Sequence, residues 1–136
     1  MMEVAVVIDK RGRPIHWHLP PGRSAVGIPD TRDLWDVLWE NRTNLAGIAH
    51  SHPGSGKTGP SMTDLTTFAA CESGLGVRLN WWITTSDRLI KLAWRGPERL
   101  DYVAWGVQNP HISRMSNRWV GELRRLSYTT EVQDHG

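Results

Sequence analysis

Apolar and polar positions follow two rhythms along this chain, and each change of rhythm marks an element. Residues 3–9, Glu-Val-Ala-Val-Val-Ile-Asp, are dense in branched side chains and predict a β-strand. Lys10-Arg11-Gly12-Arg13 reads as a turn, and Pro14 to Leu19 as the returning strand. Residues 20–29 hold three prolines and two glycines and form a loop. From Asp30, a possible cap, the spacing turns helical to about residue 41, burying Leu34, Val37 and Leu38 with Trp35 or Trp39. Asn41 to Asn44 end that helix, and residues 45–50 return to strand. A second helix starts at Ser61 and runs to about Glu72, with Leu65, Phe68 and Ala69 on one face. Gly74 and Gly76 are expected to stop it. Val77 to Thr84 and Leu89 to Trp94 predict two more strands, joined by a Ser86-Asp87 turn. Leu100 to Trp105 either extends the sheet or forms a helical turn. Gly106 to Pro110 reads as loop, Asn117 to Leu126 is helix-like in composition, and residues 130–136 are polar and frayed.

The order β-β-α-β-α-β-β predicts an α/β domain with a mixed β-sheet flanked by helices. At 136 residues the chain reads as a single domain, with a core over about residues 3–96 and a C-terminal extension, 97–136, packing on it. Hydrophobic residues at 39% and charged ones at 22% are ordinary for a soluble globular protein. A formal charge of +2 is too small to argue for nucleic acid. The single cysteine, Cys71, excludes an intrachain disulfide framework and any cysteine-based zinc cluster. Its expected place is the apolar face of the second helix. No leader and no membrane-spanning run is visible, so the expected compartment is the cytoplasm. Eight tryptophans without repeat spacing are expected mostly in the core, with Trp81 and Trp82 on opposite sheet faces.

The candidate chemistry lies where the third strand ends. His50 and His52 are spaced i, i+2, which on a strand puts both imidazoles on one face about 7 Å apart along the chain. A Gly-rich turn leads to Ser61, an N-cap, and Asp64 follows in the first helical turn. Ser61-x-x-Asp64 alone fits a capping box, and a lone strand histidine is ordinarily just a satisfied polar residue. Together, two imidazole nitrogens and a carboxylate form a three-ligand zinc set with a fourth position left for water, as catalytic zinc is held. His16 and His18 repeat the His-x-His spacing without a following acid and read as one polar face of an edge strand. Gly54-Ser55-Gly56-Lys57-Thr58 mimics a phosphate-binding loop, but Ser51 stands where the pattern needs its first glycine, and Pro60 separates Thr58 from the helix.

His50-x-His52-Pro53, seven residues, then Ser61-x-x-Asp64 resembles the JAMM (MPN+) signature of JAB-domain zinc metalloproteases at all five positions. The likeness spans residues 3 to about 96. It implies a fold similar to cytidine deaminases, although the deaminase H-x-E and P-C-x-x-C elements are absent. It implies one zinc on His50, His52 and Asp64, Ser61 as a stabiliser of the tetrahedral intermediate, and a glutamate from an earlier strand as general acid/base. Glu40 lies at the far end of the metal strand, roughly 17 Å away. Glu72 lies about 12 Å along the helix from Asp64. Glu3 opens a strand of its own, in a context that looks like the RadC-like branch, and is the expected base. The implied substrates are C-terminal amide bonds of ubiquitin-like or sulfur-carrier proteins, with an accessory protein helping to select them. Lys57 and Thr58 would line the substrate tail. The competing readings are a non-catalytic MPN-type scaffold and a RadC-like DNA-associated module.

Overall fold

The computed structural model describes residues 2–24, 28, 30–53, 59–107 and 119–128. Every residue of β1 (Ala5–Asp9) is buried, so its continuous apolar run reflects cover on both faces. β1 pairs antiparallel with β2 (Pro14–His18) on one side and β3 (Leu45–Ser51) on the other. β3 runs parallel to β4 (Asn80–Thr84), a pairing that needs a crossover. The helix Met62–Leu75 supplies it; with Arg32–Glu40 as α1, it is α2. β5 (Leu89–Trp94) and β6 (Tyr102–Gly106) continue antiparallel. The outcome is a mixed six-stranded sheet in the order β2-β1-β3-β4-β5-β6. Residues 119–128 form a third helix, α3.

Strand alternation divides the core between the two sheet faces. Ala5, Val7, Ile48, Trp81 and Ile83 pack with Leu38 of α1 and with Phe68 and Leu75 of α2. Val4, Val6, Ile8 and Ala49 pack on the other face with Trp119, Val120 and Leu123 of α3. Trp81 and Trp82 do take opposite faces, Trp82 meeting Trp119 edge-on at 5.5 Å. The molecule is a small α/β domain with helices on both sides of its sheet. Among the described residues no helix is long and apolar enough to cross a membrane.

Several local expectations are corrected. Thr31, not Asp30, caps α1, its Oγ1 accepting from the Leu34 N–H at 3.2 Å. α2 runs one turn past Glu72, and Gly74 lies inside it rather than ending it. A Cβ on Gly74 would stand 2.8 Å from the Trp35 ring, so the glycine admits α1's tryptophan against α2. Gly76, at φ 71°, is the left-handed cap that ends the helix. β4 starts at Asn80 rather than Val77. Of residues 100–105, only Tyr102 onward is strand, and β6 extends the sheet through Gly106, which was expected as loop. His18 is buried rather than on an open polar face, because the β1–β2 register sets it beside Ala5 on the helix-covered side. The tryptophans are less internal than expected: Trp35, Trp39 and Trp105 are exposed.

Candidate metal centre

The ladder places the histidines. His50 pairs with Ala5 across β1–β3 and with Ile83 across β3–β4. The His52 N–H donates to the Thr84 carbonyl at 2.9 Å, which carries the β4 pairing one residue beyond β3. Both imidazoles therefore project toward α2 from a backbone held on two sides. Continuing the antiparallel register by two residues brings Glu3 alongside His52 on the same face. One ligand atom each from Glu3, His50 and His52 lie within 4.8 Å of one another, a possible metal-binding triad.

Asp64 arrives from the opposite wall through the cap of α2. Its backbone N–H donates to Ser61 Oγ at 3.0 Å, while its Oδ2 accepts from the Ser61 N–H at 2.9 Å. This capping box fixes the carboxylate over the histidines. Asp64 Oδ1 lies 3.4 Å from His50 Nε2, and Oδ2 lies 3.2 Å from His52 Nε2. The two Nε2 atoms are 3.0 Å apart. The capping box and the approach to the histidines are thus compatible, because one placement of the Asp64 carboxylate serves both contacts.

The donor set fits a cation. Two imidazole nitrogens and a carboxylate lie within contact of one another, and neutral imidazole nitrogens and a carboxylate are all metal-ligating groups. Bonds of ~2.0–2.1 Å to a tetrahedral zinc imply ligand-to-ligand edges of about 3.3 Å. The two Nε2 atoms stand 3.0 Å apart, and His50 meets Asp64 Oδ1 at 3.4 Å while His52 meets Oδ2 at 3.2 Å, separations of that size but to different carboxylate oxygens.

Electrostatics agree with the crowding of charge. Burial raises the Asp64 carboxyl, but the hydrogen bonds from His50 and His52, the His50 charge and the Ser61 N–H outweigh it and leave it well below the usual carboxylate range. The Asp64 hydrogen bond raises the His52 imidazole, against burial, with the Asp64 and Glu3 charges adding to the rise. Glu3 is buried, and burial lifts its carboxyl above the ordinary value. His50 and His52 oppose that lift and Asp64 reinforces it. A carboxyl raised in this way is suited to accept and return a proton.

No family model and no curated protein matches this chain. Its site is read from its own geometry. The structure brings Glu3, two residues before β1 (which starts at Ala5 rather than Glu3), His50 at the end of β3, His52 just past it, and Ser61 and Asp64 at the start of α2 together. Lys57 and Thr58, with all of residues 54–58, lie outside the described residues. Glu40 ends α1 on the surface, and Glu72 is buried among other partners. Sequence reasoning missed Phe68 as a site neighbour. Its ring meets His50 edge-on at 6.2 Å and stacks on Trp81 at 4.2 Å. Its place four residues before the buried Glu72 was visible only as apolar spacing.

Proposed function

We propose that the chain is a zinc-dependent amide hydrolase of the JAMM/MPN+ type on a JAB/MPN-like fold. Its substrates on this reading are C-terminal peptide or isopeptide bonds of ubiquitin-like or sulfur-carrier proteins, in a reducing cytoplasm. The observation that carries the reading is the convergence of His50, His52 and Asp64 with the buried Glu3 beside them. Zinc, when bound, supplies Lewis acidity and lowers the pKa of water toward ~7. His50, His52 and Asp64 hold it. Glu3 takes a proton from the attacking water and delivers it to the amine as the C–N bond breaks, leaving a carboxylate and a free amine. Ser61 Oγ accepts from the Asp64 N–H, so its own O–H can donate to the oxygen that gains charge.

A cysteine mechanism is disfavoured by the same structure. Burial, with help from the Glu72 and Asp30 charges, pushes the Cys71 thiol up to about 12, so it carries no thiolate at neutral pH. The test is incubation of zinc-loaded protein with a ubiquitin-like conjugate, with and without chelator. Cleavage abolished by chelator and restored by zinc supports the reading. Loaded protein that leaves every conjugate intact reduces the chain to an MPN-type scaffold, and salt-sensitive DNA binding would favour the RadC-like alternative.

A further inference from the structure

Glu3 lies between two serine clamps. On one side the Ser51 N–H donates to the Val4 carbonyl, and the Val4 N–H donates to Ser51 Oγ, both at 2.9 Å. On the other side the Met2 N–H donates to the Ser127 carbonyl at 2.9 Å, and the Ser127 hydroxyl donates to the Met2 carbonyl at 2.7 Å. The Glu3 N–H itself donates to the Ser24 carbonyl at 2.7 Å. The Ser51 clamp is an extension of the β1–β3 ladder. The Ser127 clamp comes from α3, in the opposite layer, across 125 residues of chain.

Ser127 has no exposed surface and lies four residues from the buried Leu123. An alanine there would be a better helix former and would bury no hydroxyl. Among the described residues the hydroxyl's partner is the carbonyl next to Glu3, which explains it. β1 begins only at Ala5, so regular strand pairing does not reach the glutamate. Without the α3 clamp the Met2 peptide groups lose both bonds to Ser127, and among the described residues Glu3 is held only by Ser24 and, through Val4, by Ser51.

We propose that Ser127 is a positioning residue for Glu3. α3 holds the Met2–Val4 stretch from one side while β3 holds it from the other, and the carboxylate stays aimed at the two histidines. This inference rests on the metal-dependent reading and gives the C-terminal helix a part in the site. Ser51 is too close to the ligands for a clean test, whereas Ser127 touches none of them.

The experiment is a double-mutant cycle on zinc affinity, measured by competition with a chromophoric chelator. Wild type, Ser127→Ala, Glu3→Gln and the double variant are compared. Glu3→Gln should weaken zinc about tenfold, the lower end for groups that support a metal site. Ser127→Ala should weaken it about fivefold, the factor set by one lost hydrogen bond of ~1 kcal/mol. In the Glu3→Gln background the same serine change should cost less than about twofold. Ser127→Thr, which keeps the hydroxyl, should restore wild-type affinity, and Ser127→Cys, with a poorly donating thiol, serves in the cycle if the alanine variant does not fold. A general loss of stability would act alike in both backgrounds. Equal losses in the two backgrounds, or no loss in either, overturns the positioning role. Wild-type protein that takes up no zinc overturns the metal reading and this one together.

Discussion

Asp64 and Glu72 stand on the same helix eight residues apart, and their surroundings are opposite in kind. Glu72 is 3% exposed and is met by donors on every side: the Arg78 guanidinium, the Leu79 N–H, the Trp81 indole N–H and the Tyr102 hydroxyl. Its hydrogen-bonding capacity is used within the protein. Asp64 faces two imidazole nitrogens that are themselves only 3.0 Å apart, with the Glu3 carboxylate nearby. There two imidazoles and two carboxylates share one small space, with Asp64 hydrogen-bonded to both imidazoles. A buried polar group satisfied by its own chain specifies and stabilises a fold. A cluster of two histidines and two carboxylates has the composition that metal ions use. Phe68 joins the two regions, stacked on the indole that Glu72 fixes and edge-on to His50. The closed cluster thereby braces the open one.

The largest expected effect separates chemistry from architecture. Glu3→Gln should lower turnover on a protein conjugate by ~10²–10⁴-fold, the range for a general acid/base. Zinc should still load stoichiometrically at micromolar protein, and the circular dichroism should be unchanged. Unaltered kcat would move the proton transfer to another group.

Glu72→Ala tests the closed side. It strands the Trp81 and Leu79 donors and the Arg78 charge, and should cost about 3–4 kcal/mol in denaturant unfolding. Folded Glu72→Ala protein should keep one zinc. Loss of zinc with little loss of stability would reverse the assignment of the two clusters.

Asp64→Ala should weaken zinc by about 100-fold in the chelator competition, at or beyond what supporting groups contribute. Part of the change in stability would come from the lost cap of α2, roughly 1 kcal/mol. His16→Ala, on β2, should leave zinc affinity unaltered.

Asp9 gives the smallest and most specific contrast, because it ends the strand that begins two residues after Glu3 and is closed in the manner of Glu72. Burial raises its carboxyl, but the Arg13 N–H and guanidinium and the Arg11 N–H outweigh that and hold it below the ordinary value. Its stabilising contribution is therefore present above the unfolded value of ~3.9 and is lost as pH falls through the lower folded one. The stability gap between wild type and Asp9→Asn, read by urea unfolding, should be full at pH 7 and close in the acid limb. A gap that persists unchanged at low pH would mean that Asp9 acts by shape alone.

What was legible in the sequence follows the range of each interaction. The strands carrying Glu3 and the histidines could be read because their periodicity is local and both flanks are marked by turns. The ligand spacing could be read because His50, His52, Ser61 and Asp64 lie within one strand–turn–helix unit. Gly74 misled because its role is set by Trp35, from another helix, and not by its own neighbours. His18 misled because an edge strand can still have one face covered, here by the side that also buries Leu38 and Phe68. The donors to Glu72 come from residues 78, 79, 81 and 102, and the Ser127 clamp spans nearly the whole chain. Contacts of that separation leave no periodic trace. Residues 54–58, with the substrate contacts expected of Lys57 and Thr58, fall outside the described residues.

The central claim is that His50, His52 and Asp64 form one zinc site, and locating the metal tests it most directly. Chelator-stripped protein would be titrated with zinc, crystallised, and mapped by anomalous scattering at the zinc edge. The account predicts one zinc per chain, at ~2.0–2.1 Å from both histidine Nε2 atoms and bonded to an Asp64 oxygen. Protein that takes up no zinc, or a zinc bound away from Asp64, would contradict it.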